Sequence, residues 1–484
     1  MGEPAAADGD ASESTSNSDK TSIVNISDTG DIVLDVTFET SQDALKKSRK
    51  AALAAAKKAG GSAASAIPNF KSIVNVAYRV RLDILKKSSL YFSNLLSNPQ
   101  FSEARLIATK HGELAARNVQ PADAEARDLP WIQITDDDEA TRIAGREQAF
   151  EDILHIMHSQ PPRTTKVTMS YVSTLAIIAD RFDCAASVSR SLSTELKFRW
   201  PLTNNRPLRD ESGRPTEAEK VLRQKVLAAW LLGQPVRLQH ASRELILRGS
   251  RLWSADQSLP ETEDENSLTA AWWNLPDGLE EELQYRRECI LNCVASIQRH
   301  FLSLYASRGG GAARQCKLGY DSSAACDSFQ LGQMLRFLMA KNLLFLADFS
   351  PASFDAIPAA DHLDVDADIL AVLKQCPNYQ IDKHHTNCGL RIRIDPIIDH
   401  VRAMLSANIV ALSLQGWKKD RTGTSWAGEA ASRDTESKDS TPRTFAFTRA
   451  IANDQRLRYE GAMYADKIAK QLFTADAWDW TPEF

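Results

Sequence analysis

Residues 76–103 read VAYRVRLDILKKSSLYFSNLLSNPQFSE, and the fold turns on how this stretch is read. Tyr78 and Val80 alternate with Arg79 and Arg81, the two-residue period of a strand with one apolar face. At Leu82 the period changes. Leu82, Leu85, Ser88 or Ser89, Phe92, Leu95 and Leu96 recur at spacings of three and four, which predicts short helices with one buried side. The paired serines are suited to start the second helix, because a serine oxygen accepts from backbone N–H groups left free there.

Upstream, Ile32, Leu34 and Val36 in DIVLDVTF predict a partner strand, which Phe38 continues. The two strands are separated by Ser41 to Pro68, rich in Ala and Lys and closed by Gly60-Gly61, a solvated helix or mobile loop inserted in a hairpin. Residues 1–21 hold almost nothing to bury and are expected to be disordered. Downstream, residues 104–129 form a second polar insertion before a short strand at Trp131–Ile134. The acid run Asp136 to Glu139 reads as charge at a helix N-terminus, followed by a stripe of Phe150, Ile153, Leu154 and Met157. Val172, Leu175, Ala176, Ile178, Ala179 and Phe182 form the next stripe, and Val188, Leu192, Leu196 and Phe198 suggest one or two more helices.

The apolar strand, the LDIL turn, SSLYF and the double Leu resemble the central signature of the BTB/POZ interaction domain. AFEDILHIMHSQPP (149–162) and YVSTLAIIADRFDCAASV (171–188), with its ADRF tetrapeptide, resemble two later helices of that family in the same order. The resemblance covers about a third of the chain and implies an α+β domain over 22–200, a small sheet capped by helical hairpins, with insertions at 41–70 and 104–129. It also implies protein–protein interaction. In members that recruit a cullin ubiquitin-ligase scaffold, a hydrophobic–x–Glu motif follows the signature helix, and Phe101-Ser102-Glu103 falls at that place. Tyr91, Leu95 and Leu96 then shape the surface around Phe101 and Glu103. The same tripeptide also reads as a helix end closed over the core beside a solvated carboxylate. Asp31 matches the acidic residue of the family's co-repressor pocket, but Leu82 stands where its basic partner belongs. The apolar helix through which many members dimerise has no counterpart in residues 1–20, so homo-oligomerisation stays open.

Past Pro201 the resemblance ends. A linker over 201–218 leads to a helical domain over 219–416, with Val221, Leu222, Val226, Leu227, Trp230 and Leu231 as its first stripe. Leu279–Tyr305 is the longest predicted helix. Leu331–Leu346, apolar nearly all round, is placed at the centre of this second core. Residues 417–443 read as a mobile loop, and 444–484 as a C-terminal helix, resuming at Ala446, with an aromatic tail. No repeat of fixed period occurs.

The chain has 484 residues, 43% of them apolar and 25% charged, enough for two or three globular domains. A formal charge of -5 and a pI near 6.1 supply no field for nucleic acid or an anionic membrane. No apolar run approaches the roughly 20 residues of a membrane span, and no signal peptide is recognisable, so a cytoplasmic or nuclear protein is expected. The basic run Lys46-Lys47-Ser48-Arg49-Lys50, with Lys57-Lys58, suits either a nuclear-import receptor or plain solvation.

The seven cysteines are expected reduced. Those of the second domain, with three of its histidines, make a set of nine: Cys289, Cys293, His300, Cys316, Cys326, Cys376, His384, His385 and Cys388. Cys289 and Cys293 lie one helical turn apart, as do His384 and Cys388 if that segment is helical, which makes these four the zinc candidates. No CxxC or HxxxH pair occurs, and buried Cys is common for packing alone, so no metal or cofactor is assigned. No phosphate loop, nucleophile elbow, HExxH or Rossmann fingerprint is present. The expected function is an adaptor that joins a cullin scaffold to a substrate held by the helical domain. The alternatives are a self-associating structural or nuclear scaffold, and an enzyme of unrecognised class in the helical domain, whose mark would be a cleft of converging polar groups.

Overall fold

Strand periodicity and helix periodicity alternate along the chain, and the result is an α+β molecule. A computed structural model describes residues 23–58, 70–165, 167–204, 206–208, 216–250, 270–306, 314–316, 318, 321–343, 365–386, 388–428, 444–446, 462–474 and 477–479. The expectations for residues 1–21, the Gly60-Gly61 end of the first insertion and 429–443 lie outside them. The chain divides into two compact units, Met1–Thr165 with Arg181–Ser187, and Lys166–Asp180 with Val188–Phe484. The division falls earlier than the expected linker at 201–218. Gln234, in the second unit, donates to Ser189 Oγ at 2.6 Å, which ties the segment after Val188 to the helices that follow.

In the first unit, β1 (Ile23–Asn25), β2 (Ile32–Glu39), β3 (Ile73–Val80) and β4 (Trp131–Asp136) form one sheet in the order β1-β3-β2-β4. β2 runs antiparallel to β3, with Ile32 opposite Val80 and Leu34 opposite Tyr78, and parallel to β4. Strand alternation predicts one buried face of β2, yet Ile32, Val33 and Leu34 are all buried. The reason lies in the second insertion. Its residues form α4 (Ser102–Ala116) and two 3-10 turns, and Leu114, Ala124 and Leu129 pack with Val33 and Ala77 into a second small core. The expected polar insertion therefore covers the far side of the sheet. The first insertion is likewise ordered at its start as α1 (Gln42–Lys58), held by buried Ala44 and Leu45.

Two short helices, α2 (Leu82–Ser88) and α3 (Leu90–Ser97), follow β3, and α5 (Arg146–Met157) follows β4. The acid run does not start α5, as expected of it. Asp136 ends β4, where its buried carboxylate accepts from Arg146 Nε at 2.7 Å and from Arg181 Nη1 at 2.6 Å. Arg146 also donates to the carbonyls of Glu39, Asp136 and Ile143, so one guanidinium joins the ends of two strands to the start of a helix.

The described residues of the second unit are helical or irregular apart from one strand pair. It contains most of α6 (Met169–Arg181) and α7 (Ala185–Thr194), then α8 (Glu217–Leu231), α9 (Pro235–Arg248), α10 (Leu279–Ala306) and α11 (Ser323–Ala340). A π turn at Val365–Leu370 leads into α12 (Ala371–Leu373), then α13 (Arg391–Leu405), α14 (Leu414–Lys419), α15 (Arg421–Thr424) and α16 (Ala465–Thr474). α10, predicted to within a residue at its C-terminus, is the central helix and packs against α9, α11 and α16. α11 is not central as expected. Its buried residues Cys326, Gln330, Met334, Phe337 and Leu338 form a single stripe, and Met339 is 61% exposed.

Two corrections concern the C-terminal segments. Residues 417–424, expected as loop, are helical and bury Trp417, and Trp426 just beyond is buried completely. Arg286, buried on α10, fixes them: it pairs with Glu282 at 2.6 Å, donates to the carbonyls of Ala411 and Thr424, and lies 4.9 Å from the Trp426 ring centre. Thr444–Ala446, where a helix is expected to resume, is a strand (β5) paired in parallel with β6 (Ala477–Asp479).

Candidate interaction surface

The expected surface is built on α3 and α4 of the first unit. Ser89 starts α3: its hydroxyl accepts from Phe92 N–H at 3.0 Å and donates to Phe182 O at 2.6 Å, so one buried serine both caps the helix and ties it to the chain after α6. Behind it runs a column of rings. Phe38 and Tyr78 of the sheet meet Phe150, Phe150 meets Phe182, and Phe182 stacks on Phe92 with centroids 5.4 Å apart. Tyr91 closes the column edge-on to Phe182 at 5.2 Å while remaining 38% exposed.

Asn98 then forms a turn whose carbonyl accepts from Phe101 N–H at 3.0 Å. Phe101 occupies the N-cap position of α4 in extended conformation and is 42% exposed. Glu103 stands in the first turn of α4, where the helix dipole favours its charge, and Ser102 Oγ donates to it at 3.0 Å. Glu103 and Tyr91 share one neighbourhood. Partial burial, and then the Glu103 carboxylate, push the Tyr91 phenol above its ordinary value, while the Arg181 guanidinium works against them. Leu90 and Leu106 are further exposed apolar residues of these two helices. Leu106 follows Glu103 by three residues and so lies on the same side of α4.

Of the expected surface residues, Phe101 and Tyr91 are exposed, and Glu103 and Leu95 are half-buried. Leu96 does not fit, because it is buried in the core with Phe92. Leu90 and Leu106 escaped the sequence reading, since a helix stripe only marks what is buried and both lie off it. Asp31 acts locally, where its carboxylate accepts from Leu82 N–H at 2.7 Å and so starts α2. The basic run lies on α1 with Lys46, Lys47, Arg49 and Lys50 exposed, and Arg49 donates to Phe70 O.

The zinc candidates divide. Cys289 and Cys293 are buried one turn apart on α10, and burial pushes the Cys293 thiol far up. Cys293 precedes Tyr305 by twelve residues, about 18 Å along the helix axis, and it is Tyr305 that feels the charges of Cys326 and Cys388. Cys289 and Cys293 are therefore core thiols. The segment around His384 is a turn rather than a helix, so His384 and Cys388 do not share a face; His385, 1% exposed, is the inward histidine.

The second unit also carries a cleft of about 440 Å³ between Trp200, Leu202 and α8–α9. Its carboxylate, Glu244, is taken up by Lys225 at 3.2 Å and Arg248 at 3.0 Å, and Arg237 lies 5.8 Å from the Trp200 ring centre. No described helix is long and apolar enough to cross a membrane. No family model, curated protein or solved structure matches the chain.

Proposed function

We propose that this chain is an intracellular protein–protein interaction adaptor whose first unit is a BTB/POZ-like domain, with the α3–α4 face docking a cullin-type scaffold through Phe101 and Glu103. The observation that carries the reading is the exposure of Phe101. A phenylalanine closing a helix over the core would be buried, and here Phe92, Leu96 and Ile107 do that work. A large ring left in water at a helix start, two residues before a carboxylate and near a half-exposed tyrosine, has the composition of a docking anchor with a polar neighbour. The central β2, flanked by an antiparallel and a parallel strand, with the short pair α2–α3 following β3, supports the family resemblance. The helical unit is then the substrate-presenting part.

The experiment is a binding titration of the purified full chain against a purified cullin N-terminal region. Phe101→Ala with Glu103→Ala should weaken binding by roughly 30-fold or more, the loss from one anchor of about 2 kcal/mol. Equal affinity of variant and wild type would remove the role assigned to the pair. Light scattering of the same samples reads the competing scaffold proposal, since self-association through this face would be lost in the double variant.

A further inference from the structure

The structure brings four potential metal ligands of the second unit together that the sequence keeps apart. Cys316 lies before α11, Cys326 in its first turn, and His385 and Cys388 in the turn before α13. The ligand atoms of Cys316, Cys326 and His385 all lie within 4.8 Å of one another, and all three residues are buried. Cys316 Sγ is 3.7 Å from Cys388 Sγ. Two sulfurs held at about 2.3 Å from a tetrahedral zinc ion lie about 3.8 Å apart. We propose that Cys316, Cys326, His385 and Cys388 form a structural zinc site of three thiolates and one imidazole.

The surroundings fit a metal in three independent ways. Asp382 Oδ1 lies 2.8 Å from His385 Nδ1, which fixes the Nδ1–H tautomer and leaves Nε2 as the lone-pair donor. A carboxylate behind the imidazole is the usual brace of a metal-bound histidine. Ser323 Oγ lies 3.4 Å from the Cys316 sulfur, a hydroxyl able to donate to it as a thiolate. The loop carrying Cys316 is itself pinned, since the Gln315 and Cys316 N–H groups both donate to the Asp327 carboxylate at 2.9 Å. Three thiolates and a neutral histidine around a divalent ion leave one negative charge. Arg393 supplies the counter-charge: its guanidinium acts on Cys388 and donates to Gln315 O at 3.0 Å.

A disulfide accounts for less. It needs sulfurs at about 2.05 Å, uses only two of the three thiols, and gives no reason for the Asp382 brace on a buried histidine. Three soft thiolates with one imidazole select zinc over harder ions, and four protein ligands leave no open position, so the site is structural rather than catalytic. On binding, the three thiol protons pass to solvent and no oxidant or reductant is required. The metal would staple the segments that carry Cys316 and Cys388 to each other.

The test uses the full chain, expressed with zinc sulfate and purified without chelator. Elemental analysis should find about one zinc per chain, with Cys316→Ser and Cys326→Ser each losing it and a Cys289→Ser/Cys293→Ser control keeping it. Exchange with cobalt chloride should give thiolate-to-cobalt charge transfer and tetrahedral d–d bands in the wild type, a readout independent of any variant's folding. His385→Cys, which completes a set of thiolates only, should retain zinc where His385→Ala does not. Asp382→Asn, a positioning change, should weaken zinc by about 10- to 100-fold in competition with a chromogenic chelator. The proposal fails if wild-type protein carries only trace zinc and gives an octahedral cobalt spectrum. It fails equally if Cys316→Ser/Cys326→Ser keeps the metal, or if fresh protein contains a Cys316–Cys388 disulfide by mass spectrometry.

Discussion

Removing the Asp136 carboxylate tests how the first unit is held at its most charged buried point. In Asp136→Ala, Arg146 loses its 2.7 Å contact and Arg181 its 2.6 Å contact. The two losses differ. Arg181 is one-third exposed and keeps Asp137 at 3.2 Å, so water and a second carboxylate compensate it. Arg146, with its side chain 1% exposed, keeps only neutral partners. An uncompensated buried guanidinium costs about 3–5 kcal/mol. Because the pair joins the ends of β2 and β4 to α5, the cost should appear as local opening there. Native-state hydrogen exchange of the full chain should accelerate in the β2–β4 ladder by roughly two to three and a half orders of magnitude. The apolar replacement Asp136→Leu/Arg146→Met should recover at least half of the loss, because it leaves no buried charge unpaired. Exchange within tenfold of wild type in Asp136→Ala would mean that Arg146 is held by its carbonyl contacts alone, and the electrostatic account would be wrong.

Three further outcomes follow from particular contacts. His158 accepts from Arg81 N–H at Nε2 and lies 2.8 Å from Leu154 O at Nδ1, and burial above all holds its pKa below the usual 6.5. A depressed histidine stabilises the fold above pH 6.5 and loses that contribution as pH falls through its folded value. Urea midpoints at pH 7.5 and 5.5 should therefore diverge more in wild type than in His158→Gln. Glu282→Ala strands the buried Arg286 and should open residues 409–426, seen as faster tryptic cleavage at Lys418 or Lys419 than in Glu288→Ala. Gly145 sits at φ +85° before α5, and an added Cβ would meet only Phe70 at 3.6 Å, an ordinary contact. Gly145→Ala should thus cost about 1–2 kcal/mol from backbone strain alone, lowering the calorimetric midpoint of its unit.

Much of the first unit was legible because its information is periodic. The alternation at Tyr78–Val80 and Ile32–Val36 locates two strands, and the structure pairs them with Leu34 opposite Tyr78. What periodicity misses is any group whose burial depends on a distant partner. Arg146 bears a charge that ordinarily keeps a side chain in water, yet it is buried because Asp136 and two strand ends meet it there. Val33 reads as the outward side of β2, yet Leu114 and Leu129 from the second insertion cover it. The error at 417–424 is of another kind. Composition suggests a loop, but Ser413 accepts from Gly416 N–H and Asp420 from Gly423 N–H, and both caps are local signals that precede a buried Trp. They outweigh composition because a cap and an anchored ring act on particular backbone groups, whereas average polarity acts on none.

The ligand cluster shows the same limit at a single residue. Helical spacing allows both His384, four residues before Cys388, and His385, three before it, and the sequence reading pairs Cys388 with His384. The backbone decides otherwise. Asp382 Oδ1 accepts from the N–H groups of both His384 and His385, which winds the segment into a turn instead of a helix. In that turn the His385 side chain points inward and His384 outward, so the proposed ligand is the neighbour of the residue paired from sequence. An Asp two and three residues before a histidine pair is a turn signal as specific as a helix cap. Together with His385-x-x-Cys388, it was the available clue. The partners Cys316 and Cys326 had no local sign at all, because their meeting with His385 is made by the packing of α10, α11 and the turn before α13, a property of the fold that no window of sequence contains.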